Sequence, residues 1–265
     1  MGRIQHMQVE RFSDFQVRQV YDIDGGEKGR FYNMIYITGD THRDFCRIFD
    51  FCEDLGDTTT DDVLVILGDV GINFYGRYYG ADDYVLKAEL TELPITLLCI
   101  HGNHEMRPES ISTYEEAEWR GGIVYWEPEF PNLLFAKDGE IYDLEGKRCI
   151  AIGGADSIDK YMRVRGSDWW GDEQPSDEIK SRVEERLENA NWHVDVVFSH
   201  TCPIQYQPRE TFIFDIDDRF VDKSTEEWLD TIEKKLTYSE WYCGHYHTDG
   251  RDNNIIFMFT DFRDL

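Results

Sequence analysis

The sequence predicts an α/β fold whose strands deliver polar loops at their carboxyl ends. Five apolar runs of strand length stop abruptly at a polar cluster. Residues 34–37 run into Thr38-Gly39-Asp40-Thr41-His42, and residues 63–67 into Gly68-Asp69. Residues 95–99 run into Ile100-His101-Gly102-Asn103-His104-Glu105, and residues 194–198 into Ser199-His200-Thr201. A fifth, weaker run at 241–243 ends at Gly244-His245-Tyr246-His247. Segments with apolar residues at helical spacing lie between these runs, the alternation that marks an α/β chain. Five of the eight histidines (His42, His104, His200, His245 and His247) fall in the clusters, which random placement does not give. Open α/β sheets place their ligand crevice at that edge.

Taken in order, the elements read as follows. After the first strand, Phe45, Ile48, Phe49 and Cys52 recur at helical spacing, and Gly56 closes that helix. Gly68-Asp69 is followed by an aromatic- and glycine-rich loop over residues 71–80 and a helix over 81–90. Between 123 and 152, three short strand-like runs with turns at Lys137-Asp138-Gly139 and Glu145-Gly146-Lys147 suggest an antiparallel meander. Ser176, after Pro175, opens a helix with Ile179, Val183 and Leu187 on one stripe. Ser224-Thr225-Glu226-Glu227 reads as a capping box, because Ser224 and Glu227 could satisfy each other's orphan amides. The helix it opens should face Trp228, Ile232 and Leu236 inward. No repeat or linker divides residues 34–265, so they are expected to form one domain.

Composition narrows the class. A chain of 265 residues with 41% apolar content can bury one substantial core. No run of about 18 apolar residues is present, so no membrane span is expected, and the N-terminus has no apolar segment of a secretory signal. Cys46, Cys52, Cys99, Cys149, Cys202 and Cys243 show no paired spacing and read as thiols of a reducing cytoplasm. A net charge of −27 opposes non-specific binding to nucleic acid or anionic membrane. Residues 1–33 differ from the rest. They carry five bases (Arg3, Arg11, Arg18, Lys28, Arg30) and five acids (Glu10, Asp14, Asp22, Asp24, Glu27), so the net charge lies entirely beyond them. Two readings of this segment stand side by side. Either it is a genuine extension with a short strand over 15–20, or the protein starts at Met34, since residues 25–30 back-translate to purine-rich codons resembling a ribosome-binding site.

The ordered blocks Asp40-Thr41-His42, Gly68-Asp69, Gly102-Asn103-His104-Glu105, the lone His200 and Gly244-His245-Tyr246-His247 resemble those of the calcineurin-like metallophosphoesterases. All five are present in family order, and the likeness is greatest to small bacterial members that also carry Gly153-Gly154-Ala155-Asp156-Ser157. The resemblance implies two packed mixed sheets flanked by helices, a four-layer αββα sandwich. It implies two divalent ions, with Asp40, His42 and His247 on one, Asn103, His200 and His245 on the other, and Asp69 bridging. Two such ions, typically about 3.5–4 Å apart, lower the pKa of a bound water and neutralise charge on the attacked phosphoryl group. The family pattern makes a hydroxide between the ions the nucleophile and His104 the general acid, a role suited to imidazole near neutral pH. Mixed imidazole, carboxylate and amide ligation suits manganese, iron, nickel or zinc better than calcium.

The expected activity is hydrolysis of a phosphate mono- or diester, on a small phosphorylated or nucleotide-like substrate. His101 stands where related protein phosphatases carry a phosphate-gripping arginine, and residues 68–73 lack their Asp-Arg-Gly extension, which argues against that activity. Lys160, Arg163 and Arg165, just before Trp169-Trp170, Arg77 among Tyr75, Tyr78 and Tyr79, and Arg43 beside the first cluster are candidate substrate contacts. Arginine takes a phosphate bidentately and aromatics stack on bases. The same residues could simply balance local acids. A binding scaffold with a silent site is opposed by the complete set of ligands and acid. A nuclease would want a basic groove that this chain lacks.

Overall fold

Short Val-, Ile- and Leu-rich segments bounded by Gly and polar residues become the strands here, and their alternate side chains serve two different cores. The computed structural model describes residues 33–75, 80–209 and 221–265. The expectations for residues 1–33, apart from Asn33, and for Arg77 lie outside the described residues.

Thirteen strands and four α-helices are formed among the described residues. In chain order they are β1 (Ile35–Thr38), α1 (Cys46–Leu55), β2 (Val63–Ile66), α2 (Gly80–Leu90), β3 (Thr96–Cys99), β4 (Glu115–Trp119), β5 (Gly122–Trp126) and β6 (Leu133–Ala136). There follow β7 (Ile141–Leu144), β8 (Lys147–Ile152), α3 (Asp177–Asn189), β9 (Val196–Ser199), α4 (Ser224–Glu233), β10 (Glu240–Cys243), β11 (Gly250–Asp252), β12 (Ile255–Phe257) and β13 (Arg263–Asp264). One sheet has the order β13-β1-β2-β3-β6-β5-β4, the other β11-β12-β10-β9-β8-β7. The central strands β1, β2, β3 and β6 are parallel, as are β12, β10, β9 and β8, and the edges are antiparallel.

Period-2 alternation assigns each face. Ile35, Ile37, Val63, Val65 and Leu67 point toward Cys149, Ala151, Val196, Phe198 and Tyr242 of the second sheet. Tyr36, Leu64 and Ile66 point the other way, onto Phe45, Ile48, Phe51 and Cys52 at α1 and Leu90 of α2. On the far side, Ile150, Ile152, Val197 and Trp241 meet Ile179, Val183 and Leu187 of α3 and Trp228, Leu229 and Ile232 of α4. The layers are therefore helix, sheet, sheet, helix, as the resemblance implied. Full burial of each Leu or Ile in these cores is worth about 1.5–3 kcal/mol.

The helices end and begin largely where the sequence indicated. Gly56, at φ 69°, donates its amide to the Cys52 carbonyl and stops α1. Ser176 caps α3 by accepting from the Ile179 amide. Two expectations are corrected. Ser224 already lies in the first turn of α4 and forms no capping box; its hydroxyl donates to Gln174 at 3.1 Å, while Asp222 accepts the Ser224 amide at 3.0 Å. The segment 123–152 is no single meander either. β5 and β6 pair in the first sheet, β7 and β8 in the second, and the 137–139 turn carries the chain between layers.

Candidate metal centre

The central parallel strands of both sheets point their carboxyl ends into one place. Asp40 and His42 follow β1, Asp69 follows β2, and Asn103, His104 and Glu105 follow β3. From the second sheet, His200 follows β9, and His245 and His247 follow β10. To aim side chains back across the sheet edge, the backbone takes up left-handed conformations that most L-residues avoid. His42 (φ 47°), Arg43 (70°), Asp69 (45°), His245 (68°) and His247 (48°) all do so, and strain of that kind gathers at functional sites. Two glycines make the room. A Cβ at Gly68 would fall on the His200 ring, and one at Gly244 on the Asp40 carboxylate.

On one side of the cluster, donor atoms of Asp40, His42 and His247 lie within 4.8 Å of one another. The two imidazole Nε2 atoms face each other at 2.8 Å, and His247 Nε2 lies 3.3 Å from Asp40 Oδ2. Asp40 is held by the His245 amide, 3.1 Å from each carboxylate oxygen. Asp69 sits between the two sides, its Oδ2 3.9 Å from His42 Nε2 and its Oδ1 3.5 Å from His200 Nε2. The amides of Asn103 and His104 donate to Asp69 Oδ1 at 2.7 and 2.8 Å, locking the carboxylate in place.

The other side holds the most telling contact. His200 Nδ1 lies 2.8 Å from the Leu67 carbonyl, which can only accept, so the ring proton belongs on Nδ1. In the neutral ring Nε2 then carries a lone pair, and it faces Asn103 Oδ1 at 2.8 Å. In that state two buried acceptors face each other, and either a proton on Nε2 or a bound cation relieves the mismatch. The His245 ring packs 4.9 Å from that of His200. The donor atoms gathered here suit divalent cations.

Charge at the centre is tuned accordingly. Burial would raise the Asp69 carboxyl, but His200, His104 and His42, with the His104 amide, more than reverse it and keep it ionised. His245 is pushed down to about 3 by burial and by His200, leaving a neutral imidazole fit to coordinate. His247 is raised, chiefly by its hydrogen bond to Asp40.

Beside this cluster, His104 Nε2 lies 3.8 Å from Asp69 Oδ2. Burial lowers its pKa, Asp69 opposes that, and Arg163 adds to it. Arg163 pairs with Asp159 at 2.7 Å, and its charge reaches both His104 and Asp69. Arg43, Lys160 and Arg165 are engaged elsewhere. Arg43 pairs with Asp83 at 2.6 Å and lies over the Tyr75 ring. Lys160 pairs with Asp156 at 2.5 Å, and Arg165 lies over Trp169. His101 is 2% exposed, and neither ring nitrogen is hydrogen-bonded. Burial and Arg107 keep it neutral.

Three supporting residues escaped the sequence reading. Glu105, wholly buried, accepts the amides of Val70 and Gly71 at 3.2 and 3.0 Å and so ties the Asp69 loop to the Asn103 loop. Arg47 on α1 donates to the carbonyls of Gly39 and Asp40, both at 2.8 Å. Ser157, behind Asn103, accepts its side-chain amide at 2.9 Å. Glu105 and Ser157 stood within the segments 102–105 and 153–157 without a role of their own, and Arg47 offered no signal.

Compared with known proteins, residues 34–249 match the model of the calcineurin-like phosphoesterase family. The comparison with curated proteins gives no match. Among solved structures, the chain is similar to a protein of unknown function from Aquifex aeolicus, at 17% identity and a TM-score of 0.31, covering 64% of this chain and 81% of that one. It is also similar to a phosphopantetheinyl hydrolase from Mycobacterium tuberculosis, at 17% identity and a TM-score of 0.38, covering 85% of this chain and 87% of that one.

Proposed function

Because the chain belongs to the calcineurin-like phosphoesterase family, we propose that it hydrolyses a phosphate mono- or diester with two divalent ions held between its sheets. The observation that carries this reading is the pair of facing acceptors, His200 Nε2 and Asn103 Oδ1 at 2.8 Å, beside the converging Asp40, His42 and His247. Asp40, His42 and His247 would hold one ion and Asn103, His200 and His245 the other, with Asp69 shared between them. Manganese is the first candidate, with iron, zinc or nickel compatible with the same donors. Ions held there neutralise the phosphoryl oxygens and lower the pKa of the attacking water.

The chain's own residues supply the remaining parts. Backbone amides hold Asp69 and Asp40 rigid, so little reorganisation is needed when charge develops. His104 stands at the edge of the ligand cluster and donates the proton that the leaving oxygen needs. The Arg163 guanidinium is the described cation argued to meet the substrate's phosphate or a second charged group of it. The acceptable substrate is small and phosphorylated, with nucleotide-like molecules among the candidates. The net charge of −27 disfavours long polyanions. Six free thiols, five of them buried, fit a reducing cytoplasm, and no helix among the described residues is long and apolar enough to cross a membrane.

A panel of aryl and alkyl phosphate mono- and diesters, with oligonucleotides included, tests this reading on manganese-reconstituted protein. Hydrolysis abolished by a chelator and restored by Mn²⁺ is expected. A metal-loaded protein that hydrolyses no ester would establish the silent scaffold, and turnover of oligonucleotides alone the nuclease.

A further inference from the structure

Behind Asn103 lies a chain of buried polar groups that no part of the proposed reaction uses. The Asn103 Nδ2 and the Ser157 Oγ are 2.9 Å apart, and the Ser157 hydroxyl donates to Glu173 Oε2 at 2.5 Å. That same oxygen also accepts from Trp169 Nε1 at 2.8 Å. Asn103, Ser157 and Glu173 are each no more than 3% exposed.

With Glu173 ionised, the direction of every bond in this chain is set from its far end. An indole N–H can only donate, so Glu173 Oε2 is an acceptor. An ionised carboxylate oxygen can only accept, so it takes the Ser157 hydrogen as well. Ser157 has one hydrogen, and Glu173 takes it. The other contact of the hydroxyl, to the Asn103 backbone carbonyl at 3.5 Å, is too long to compete. Ser157 Oγ must therefore accept from Asn103, which places the amide nitrogen at the back and the oxygen at the front, facing His200. Asn side chains can turn over with little change in shape, and only the oxygen end can bind a cation.

We propose that Ser157 and Glu173 are positioning residues of the metal centre, holding the Asn103 side chain with its oxygen, not its nitrogen, toward the ion it shares with His200 and His245. The proposal rests on the two-ion reading above. Loss of partners that orient metal ligands typically costs about 10–100-fold in metal affinity.

The test is Mn²⁺ titration of the full-length protein, followed by electron paramagnetic resonance, which distinguishes a lone Mn²⁺ from a spin-coupled pair. Ser157→Ala, Asn103→Asp and the double variant are compared with the wild type. Ser157→Ala should weaken the second Mn²⁺ by about tenfold or more, with the first unchanged and the coupled signal lost at limiting metal. A carboxylate in place of the Asn103 amide would offer an oxygen whichever way it turned. In the Asn103→Asp background, then, Ser157→Ala should cost no further affinity for the second ion. A Ser157→Ala protein that binds both ions like the wild type would overturn the proposal. So would an equal loss in both backgrounds, which is what general loosening of the loop gives. Wild-type protein taking up fewer than two Mn²⁺ would overturn the proposal together with the two-ion reading.

Discussion

At the scale of one residue, the surroundings of His104 bear on its proposed role as general acid. Its ring lies 3.8 Å from Asp69, and burial lowers its pKa while Asp69 opposes the loss. In the absence of substrate the neutral form is therefore favoured, and a bound phosphate anion is what would favour the proton. Proton donation contributes about 10²–10⁴-fold, or about 3–5 kcal/mol. An alkoxide leaving group needs most of that help, whereas a p-nitrophenolate departs without it. His104→Ala should thus depress turnover of alkyl or ribose esters by about 10²-fold or more, and that of aryl esters far less, with both ions still bound. Equal losses on the two ester classes, measured on metal-replete protein, would assign His104 to positioning the phosphoryl group instead. The histidines and acids of the centre were legible because their chemistry is local to each block. Ser157 and Glu173 were not: their partner is Asn103, 54 positions from Ser157, and no spacing rule links a hydroxyl to an amide across that distance.

Among the elements, the turns that leave the parallel strands matter more than the strands. Gly68 has φ 97°, and its missing Cβ leaves space for the His200 ring from the opposite sheet. Gly68→Ala should force the ring away from the Leu67 carbonyl and remove the His200 contribution to its ion. The expected outcome is loss of Mn²⁺ binding by about tenfold or more, read by titration, in protein that keeps its far-ultraviolet dichroism. Unchanged binding would show that His200 does not need that space. The strands and helices were readable from period and caps: Ile179, Val183 and Leu187 form the buried stripe of α3 as their spacing requires. The 137–139 turn was not. A Lys-Asp-Gly hairpin and a Lys-Asp-Gly crossover look alike in sequence; the crossover is fixed by long-range contacts, with Asp138 accepting from Arg107 at 2.7 Å and from the Gly153 amide at 2.6 Å. The supposed capping box at Ser224 failed for a similar reason, because Gln174 on a distant segment takes the hydroxyl.

For the whole molecule, two buried sets of titrating groups oppose each other in metal-free protein. His101, His104 and His245 have lowered pKa values, so the unfolded chain binds more protons than the fold and stability is lost as pH falls below about 6.5. Burial pushes Glu173 and Glu226 up to about 7, and burial with Asp69 pushes Glu105 up to about 8. The fold then holds protons that the unfolded chain releases near pH 4.5, so stability is lost as pH rises through those values. His247, raised by Asp40, has the same sign. Between about pH 4.5 and 6.5 the sets compete; from about 6.5 to 8 only the second acts. The unfolding free energy of the metal-free protein should therefore fall across about pH 6.5–8 in urea titrations, and a flat or rising profile would contradict the assignments. Divalent ions held at the centre would add positive charge beside Asp40 and Asp69, which makes their number the central quantity. Elemental analysis of protein reconstituted with Mn²⁺ and freed of excess metal measures it directly. Two ions per chain, falling to one or none in Asp69→Ala, is the predicted result; one ion or none in the wild type would contradict the dinuclear centre.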